Sequence, residues 1–502
     1  MKIAVIGAGF AGIASAKVLT ELGHDITVFE KAPDVGGVWS STRRYPGLTT
    51  QNNKDSYTLS DLRMPKVFPE WVSGEQVQTY LEMYVEKFEL APMIRLSTEV
   101  SSAQPAGGGG WDITSRSVAG EGADEGSGDE ATDHFDHLVV ASGVFSEPFS
   151  PAYDGVDELE AAGGSVIPAS RLHDLETVRG KDVVIVGYGK SACDVAVEIA
   201  REAASTTVVA RQLLWKMPRK IKGVLNYKML LLTRLGEGLF PYQSIRGPEK
   251  VLHAGGSKMA GSMGGSVESV TTGQLKLKKL GLLPKGQFTD IARSTVSLAT
   301  EGFFEGVEAG DIVVERDTEI AALVTKDGKT YAELANGRAL PTDVVVTATG
   351  FTQELPFFSA EVQDQLTDDN GDYRLYRQIL PLEVKDLTFA GYNSSFFSPL
   401  SAEMSAVWIG SHLAGGHDLP PVEEMEEHVT ERLEWMRERT DGHHARGTNV
   451  IPFSMHNIDE VLDDVGLDVS GATKAKQWLL PINPRAYASI TPRLVRKLAA
   501  KG

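Results

Sequence analysis

The stretch Lys2 to Lys31 carries the clearest pattern of apolar and polar positions in the chain. Lys2 to Ile6 is a short apolar run that predicts a buried strand. Ala14, Val18, Leu19 and Leu22 then recur at helical spacing, Gly23 stops the helix, and a second apolar run, Ile26 to Phe29, ends at Glu30. Between the first strand and the helix lies Gly7-Ala8-Gly9-Phe10-Ala11-Gly12. In such a turn Gly7 allows the tight reversal, Gly9 lets a pyrophosphate approach the backbone, and Gly12 lets helix and strand pack closely. The helix N-terminus presents free N–H groups and a partial positive charge to the phosphates. Glu30, 18 residues past Gly12, stands where a carboxylate binds a ribose hydroxyl pair.

The pattern recurs. Asp182 to Val186 predicts a strand, Gly187-Tyr188-Gly189-Lys190-Ser191-Ala192 a turn, Val195, Ala196 and Ile199 a helix, and Thr206 to Val209 the next strand. Ala192 replaces the third glycine and is still small enough for close helix packing. No acid ends the second strand; Ala210-Arg211 stands there, and an arginine pairs with a 2′-phosphate that a carboxylate would repel. The first unit therefore suits FAD and the second NADPH. A glycine pair at Gly36-Gly37, followed by Val38-Trp39, offers further backbone N–H groups to the first cofactor. The predicted FAD contacts are Gly7, Gly9, Phe10, Ala11, Gly12, Glu30, Lys31, Gly37, Val38, Trp39, Val100, Ala141, Ser142 and Gly143. Those predicted for NADPH are Gly187, Tyr188, Gly189, Lys190, Ser191 and Arg211, with Thr349 and Gly350 at a later strand break.

The remaining pattern fills in an α/β architecture. Ser73 and Gln76 form a capping box before a helical stripe from Val77 to Phe88. Gly107 to Thr132 reads as a solvated loop. Leu138 to Gly143 and Val344 to Phe351 are matching buried strands that break at glycine, and Leu387 to Tyr392 is similar. Ser401 to Leu413 and the segment Val422 to Met436 read as helices, and the basic tail from Lys474 as a docked segment. The expected organisation is two Rossmann-like domains, the FAD domain interrupted by an inserted NADPH domain. The boundaries are 1–160 (FAD, first part), 161–335 (NADPH, with an insertion at 212–300), 336–420 (FAD, second part) and 421–502 (helical segment and tail).

Composition changes the picture only at the edges. With 502 residues, 42% hydrophobic and 23% charged, the chain has ample core. A net charge of −19 argues against nucleic acid as a partner. A single cysteine, Cys193, forms no intramolecular disulfide, which fits a reducing cytoplasm. No apolar run approaches the roughly 20 residues that span a bilayer, and no leader precedes the first strand. A homodimer is the default assembly for a soluble enzyme. From Arg211 to Lys285 the charge reverses, with 14 Lys and Arg against three acids. That patch either steers a polyanionic coenzyme or faces a membrane or partner.

Two dinucleotide units in one chain imply hydride transfer between cofactors. One cysteine excludes a dithiol-disulfide relay. No HExxH, CxxC or GxSxG motif is present, and His443-His444 lies in a polar segment, so no metal is expected. Dioxygen is the remaining common acceptor.

The order GAGFAG, GGVW, ASG, GYGKSA and TATGF, from Lys2 to about Leu413, resembles the class B flavin-dependent monooxygenases: flavin-containing monooxygenases and their Baeyer–Villiger relatives. The resemblance implies FAD reduction by NADPH, O₂ capture as a C4a-(hydro)peroxyflavin, and NADP⁺ that stays bound. Two departures follow. Ile167 to Thr177 keeps His173 of the family's FxGxxxH signature but neither its glycine nor its aromatic ends. In Leu48-Thr49-Thr50-Gln51-Asn52-Asn53-Lys54, Gln51 occupies the position of the Asn that flavin-containing monooxygenases place beside the reactive flavin edge. Either Gln51 or Asn52 could donate a hydrogen bond there. Baeyer–Villiger relatives carry an Asp at that position, and Gln51 cannot ionise. The expected activity is therefore oxygenation of a small nitrogen or sulfur nucleophile, of the dimethylaniline-oxidising type. Baeyer–Villiger oxidation of a ketone, or a flavoprotein without oxygenase turnover, are the alternatives.

Overall fold

The structure, a computed structural model, describes residues 1–118, 130–240, 242–245, 247–254, 258–288, 291, 297–443, 445–450 and 454–501. The tip of the expected solvated loop and His444 lie outside the described residues.

Two parallel five-stranded sheets organise the chain, each centred on one glycine turn. In the first, Lys2–Ile6 pairs with Asp25–Phe29 on one side and His137–Val140 on the other, with Leu387–Phe389 and Ile94–Arg95 at the edges. In the second, Asp182–Val186 pairs with Ser205–Ala210 and Val344–Thr347, with Val313–Arg316 and Ser165–Pro168 outside them. The central strands are buried apolar runs because helices or loops cover both faces, as parallel sheets require. Each unit also carries a three-stranded antiparallel meander before its third central strand: Thr98–Pro105, Trp111–Ser117 and Glu130–Phe135 in the first, Ile320–Lys326, Lys329–Leu334 and Ala339–Pro341 in the second.

The units differ in where the fifth strand comes from. It follows the other four in the first sheet and precedes them in the second, so the chain must cross between units twice. The crossing strands Glu147–Pro148 and Phe351–Thr352 pair antiparallel with each other. This corrects the expected domain limits. Val344–Thr347 is a central strand of the second sheet, so the boundary expected at 335 falls inside that unit and moves to about 350. The helix Val156–Ala161 also belongs there, because Leu159 packs with Val184, Val209 and Leu323, which moves the boundary expected at 160 to about 150.

The predicted helices form. Ser73 caps Gly74–Lys87 with both bonds of the capping box. Ser398–Leu413 is buried along nearly its whole length and packs against the first helix, Phe10–Glu21. The C-terminal region is helical over Val422–Thr440, Met455–Val465, Gly471–Leu479 and Ile490–Ala499. It is joined to the insertion by ion pairs: Arg234 to Asp459, and His456 between Glu237 and Glu249. Burial disfavours charge on His456, but the two carboxylates outweigh it and push its pKa up to about 10. No helix among the described residues is long and apolar enough to cross a membrane.

Candidate active site

A cavity of about 1070 Å³ opens at the carboxyl ends of the first sheet's strands, where open α/β sheets bind ligands. Its floor is the first glycine turn. A Cβ on Gly12 would lie 1.7 Å from the Gly7 carbonyl oxygen, and one on Gly7 would lie 2.6 Å from that of Ala141. No side chain fits at either position, so the turn presents bare backbone. Gly37 closes from the opposite side, and a Cβ there would stand 3.2 Å from the Gly9 Cα. Phe10, Trp39 and Tyr57 form an edge-to-face aromatic wall.

Of the predicted FAD contacts, Gly7, Gly9, Phe10, Ala11, Glu30, Lys31, Gly37, Val38, Trp39, Val100, Ala141, Ser142 and Gly143 all line this cavity. Gly12 does not; its role is the contact with Gly7. Glu30 is 8% exposed, and its two oxygens accept from the backbone N–H groups of Ala8 (2.7 Å) and Ala32 (2.9 Å). Burial raises its pKa against those two bonds. It thus braces the glycine turn while facing the cavity. Lys31 pairs with Glu147 at 2.7 Å, on the crossing strand. A backbone cradle, a buried acid at the strand end and this volume fit FAD.

Pattern reading missed part of the cavity wall. Arg43 lines it and donates to the carbonyls of Phe145 and Ser146 (2.5 and 3.1 Å), and burial lowers its pKa. Pro356, Phe357 and Ser394 come from loops distant in sequence, and Ser398 and Ala402 from the first turns of the helix Ser398–Leu413. Ala402 lies in the helix expected from Ser401 to Leu413, but nothing in its pattern marks it for the cavity, and the others sit in no periodic run or motif. His173 lines the same cavity, and its Nδ1–H donates to the Arg44 carbonyl at 3.2 Å. It joins the segment before the second sheet to the loop of the first.

The second glycine turn is built differently. A Cβ on Gly187 would lie 2.5 Å from the Ala348 carbonyl oxygen, so that turn is tight, whereas nothing lies within 4 Å of one on Gly189. That open backbone fits a phosphate group. Arg211 lines a separate cavity of about 500 Å³ with Lys285 and Arg316. Lys285 pairs with Asp317 and Arg316 donates to the Gly281 carbonyl, while Arg211 takes no partner among the described residues. The arginine is thus free to meet an anion.

Lys190 and Ser191 are engaged elsewhere. Lys190 is buried and ion-paired with Asp194, whose other oxygen accepts from Thr300, and burial lowers the lysine's pKa against that pairing. Ser191 accepts from the Tyr45 hydroxyl at 3.0 Å. Tyr188 is buried edge-on against Phe303, with Lys216 over its ring. Thr349 donates to the Phe149 carbonyl, and Gly350 accepts from the Phe149 N–H at 3.0 Å. Of these contacts, the bond from Tyr45 to Ser191 ties the first unit to the second turn, and the side chains of Tyr188, Lys190 and Ser191 all have protein partners.

Gln51 and Asn52 sit outside the wall of the large cavity. Asn52 donates to the carbonyl of Phe396, whose sequence neighbours Ser394 and Ser398 line the cavity. The loop is held on its other side by Thr50 N–H to Val72 (2.9 Å) and Lys54 to the Lys66 carbonyl (2.8 Å).

Residues 1–243 and 314–470 match the flavin-binding monooxygenase-like family. The chain belongs to that family. The unmatched stretch is most of the basic insertion. A protein of Arabidopsis thaliana named putative flavin-containing monooxygenase 2 is 27% identical over 499 residues, 93% of this chain and 97% of its own. Human flavin-containing monooxygenase 3 is 25% identical over 456 residues, 87% and 78%. Among solved structures, a steroid monooxygenase bound to NADP superposes with a TM-score of 0.67 at 18% identity, covering 93% of this chain and 97% of that one. The S-allyl-L-cysteine S-oxygenase of Allium sativum gives 0.60 at 18%, covering 100% and 97%. These likenesses show the paired-sheet fold. The family carries out FAD- and NADPH-dependent oxidation with O₂.

Proposed function

We propose that the chain is an NADPH-dependent flavoprotein monooxygenase that transfers one oxygen atom from O₂ to the nitrogen or sulfur of a small organic nucleophile. FAD, when bound, supplies two-electron reduction by NADPH and the activation of O₂. The residues of this chain do the rest. The turn Gly7 to Gly12 and Gly37 seat a pyrophosphate on backbone N–H groups, and Glu30 stiffens that turn. Arg211 selects the 2′-phosphate of NADPH, and Gly189 leaves room for its pyrophosphate. Phe10, Trp39 and Tyr57 exclude water from one side of the flavin cleft.

One observation carries the nucleophile reading. At the loop position where an acid would serve a deprotonated, nucleophilic oxygen, this chain has the neutral amide Gln51. An amide hydrogen bond without a negative charge favours oxygen delivered as an electrophile. The test is a substrate panel of amines, thioethers and ketones, run with FAD, NADPH and ¹⁸O₂. N- or S-oxides carrying one ¹⁸O are expected. Esters or lactones from the ketones, without N- or S-oxides, would assign Baeyer–Villiger chemistry instead. NADPH oxidation indifferent to every substrate would leave a nucleotide-binding flavoprotein.

A further inference from the structure

Gln51 and Asn52 each meet a backbone group, and a backbone partner dictates which end of an amide faces it. A carbonyl only accepts, so the Phe396 oxygen meets the Asn52 NH₂. An N–H only donates, so the Leu298 N–H, at 3.0 Å, meets Gln51 Oε1. The free ends are therefore opposite in kind. Gln51 is partly exposed and its NH₂ takes no partner among the described residues. Asn52 is 2% exposed, and its Oδ1 is buried without a partner.

We infer that Gln51 is the hydrogen-bond donor of this site and that Asn52 offers only an acceptor, with Leu298 as the positioning residue that sets this polarity and Tyr227 as the residue that anchors the Gln51 backbone. The inference rests on the reading of Gln51 as the amide at the oxygen site. Leu298 is fully buried in a two-strand pairing with Met217, so its N–H holds a fixed direction. Tyr227, also fully buried, donates from its hydroxyl to the Gln51 backbone carbonyl at 2.8 Å and so holds the loop in place. Arg219 donates to Thr49 Oγ1 at 2.8 Å, two residues upstream. All three gripping residues belong to the insertion at 212–300. Of the three, Leu298 lies outside the stretches that match the family, whereas Arg219 and Tyr227 lie within them. With Oε1 taken, the outward NH₂ suits an acceptor oxygen: that of reduced dioxygen or of the product oxide. The buried Asn52 carbonyl suits an N–H or O–H donor and repels an anion.

Two substitutions separate the ends of the Gln51 amide in the FAD-loaded enzyme. Gln51→Glu is isosteric; it keeps an acceptor for Leu298 and removes the donor. Gln51→Met removes both. Loss of one charge-assisted donor is worth roughly a tenfold effect. Peroxide released per NADPH oxidised is therefore expected to rise about tenfold in both variants, with flavin content and the NADPH KM unchanged. Hydrogen exchange at the Leu298 amide reports the geometry without turnover: it stays slow in Gln51→Glu and quickens about tenfold in Gln51→Met. Tyr227→Phe is expected to raise peroxide release by about fivefold at most, with flavin content unchanged. If Gln51→Glu stays coupled while Gln51→Met leaks, the carbonyl end acts and the donor assignment falls, while the oxygen-site reading stands. If both stay coupled, the oxygen-site reading falls with it. Unchanged Leu298 exchange in Gln51→Met would overturn the positioning role.

Discussion

The two glycine turns do the same job with different tolerances. In the first, Gly12 stands so close to Gly7 that a methyl group would meet its carbonyl oxygen at 1.7 Å, and Glu30 ties the turn to the end of the next strand through Ala8 and Ala32. In the second, Ala192 fills the equivalent position without conflict, and the strand ends in Arg211, which takes no partner among the described residues. The first turn is braced by a buried acid, and the second is looser, with an arginine at the end of the next strand. The side chains beside the second turn, Lys190, Ser191 and Tyr188, face protein, so under the proposed reading recognition there falls to open backbone and one arginine.

That contrast can be broken, starting with the largest expected effect. Gly12→Ala should abolish flavin incorporation, because the overpacking lies between backbone atoms that cannot yield; overpacking of this kind costs about 1–3 kcal/mol even where side chains can shift. The 450 nm absorbance of the purified protein checks this, and a fully flavinated variant would show the first turn to be no tighter than the second. Arg211→Ala should raise the NADPH KM by roughly 10- to 100-fold, the worth of a charge-assisted pair, and leave the NADH KM alone. Equal changes for both coenzymes would remove the arginine from the 2′-phosphate.

Glu30→Gln sharpens the comparison from the first side. One of the two backbone donors would face an amide NH₂, and the FAD dissociation constant should rise about tenfold in a titration of the apoprotein. A second buried acid underlies the first sheet. Glu403, on Ser398–Leu413, accepts from Ser60 N–H and Oγ (2.7 and 2.6 Å), and burial, reinforced by Asp61, raises its pKa to about 7. A carboxyl raised in the folded state stabilises it fully below the unfolded pKa near 4.5 and loses that contribution as pH rises towards 7. The melting temperature should therefore fall by a few degrees across that window. Glu403→Gln should flatten the decline. The smallest effect is expected from Ala192→Gly: about 0.5–1 kcal/mol of stability lost to helix propensity, with NADPH binding unchanged in a KM measurement.

Local chemistry made much of this molecule legible from the sequence alone. The two strand–turn–helix units, the acid at the end of one and the arginine at the end of the other, and the capping box at Ser73 follow from rules that operate within about thirty residues. Thirteen of the predicted FAD contacts meet in one cavity for the same reason, since a glycine turn, a glycine pair and a strand break all lie at strand ends. Only the tertiary structure decided the rest. Val344–Thr347 looks the same in sequence whichever sheet it joins, because a buried parallel strand is an apolar run either way; its pairing with Val183–Val186 placed it in the second. Arg43, Phe357 and Ser398 reach the cavity through long-range packing that leaves no periodic trace. The roles of Gln51 and Asn52 were also undetermined, because an amide carries donor and acceptor alike. The Leu298 N–H and the Phe396 carbonyl, each about 250 to 350 residues away, choose the end that remains free.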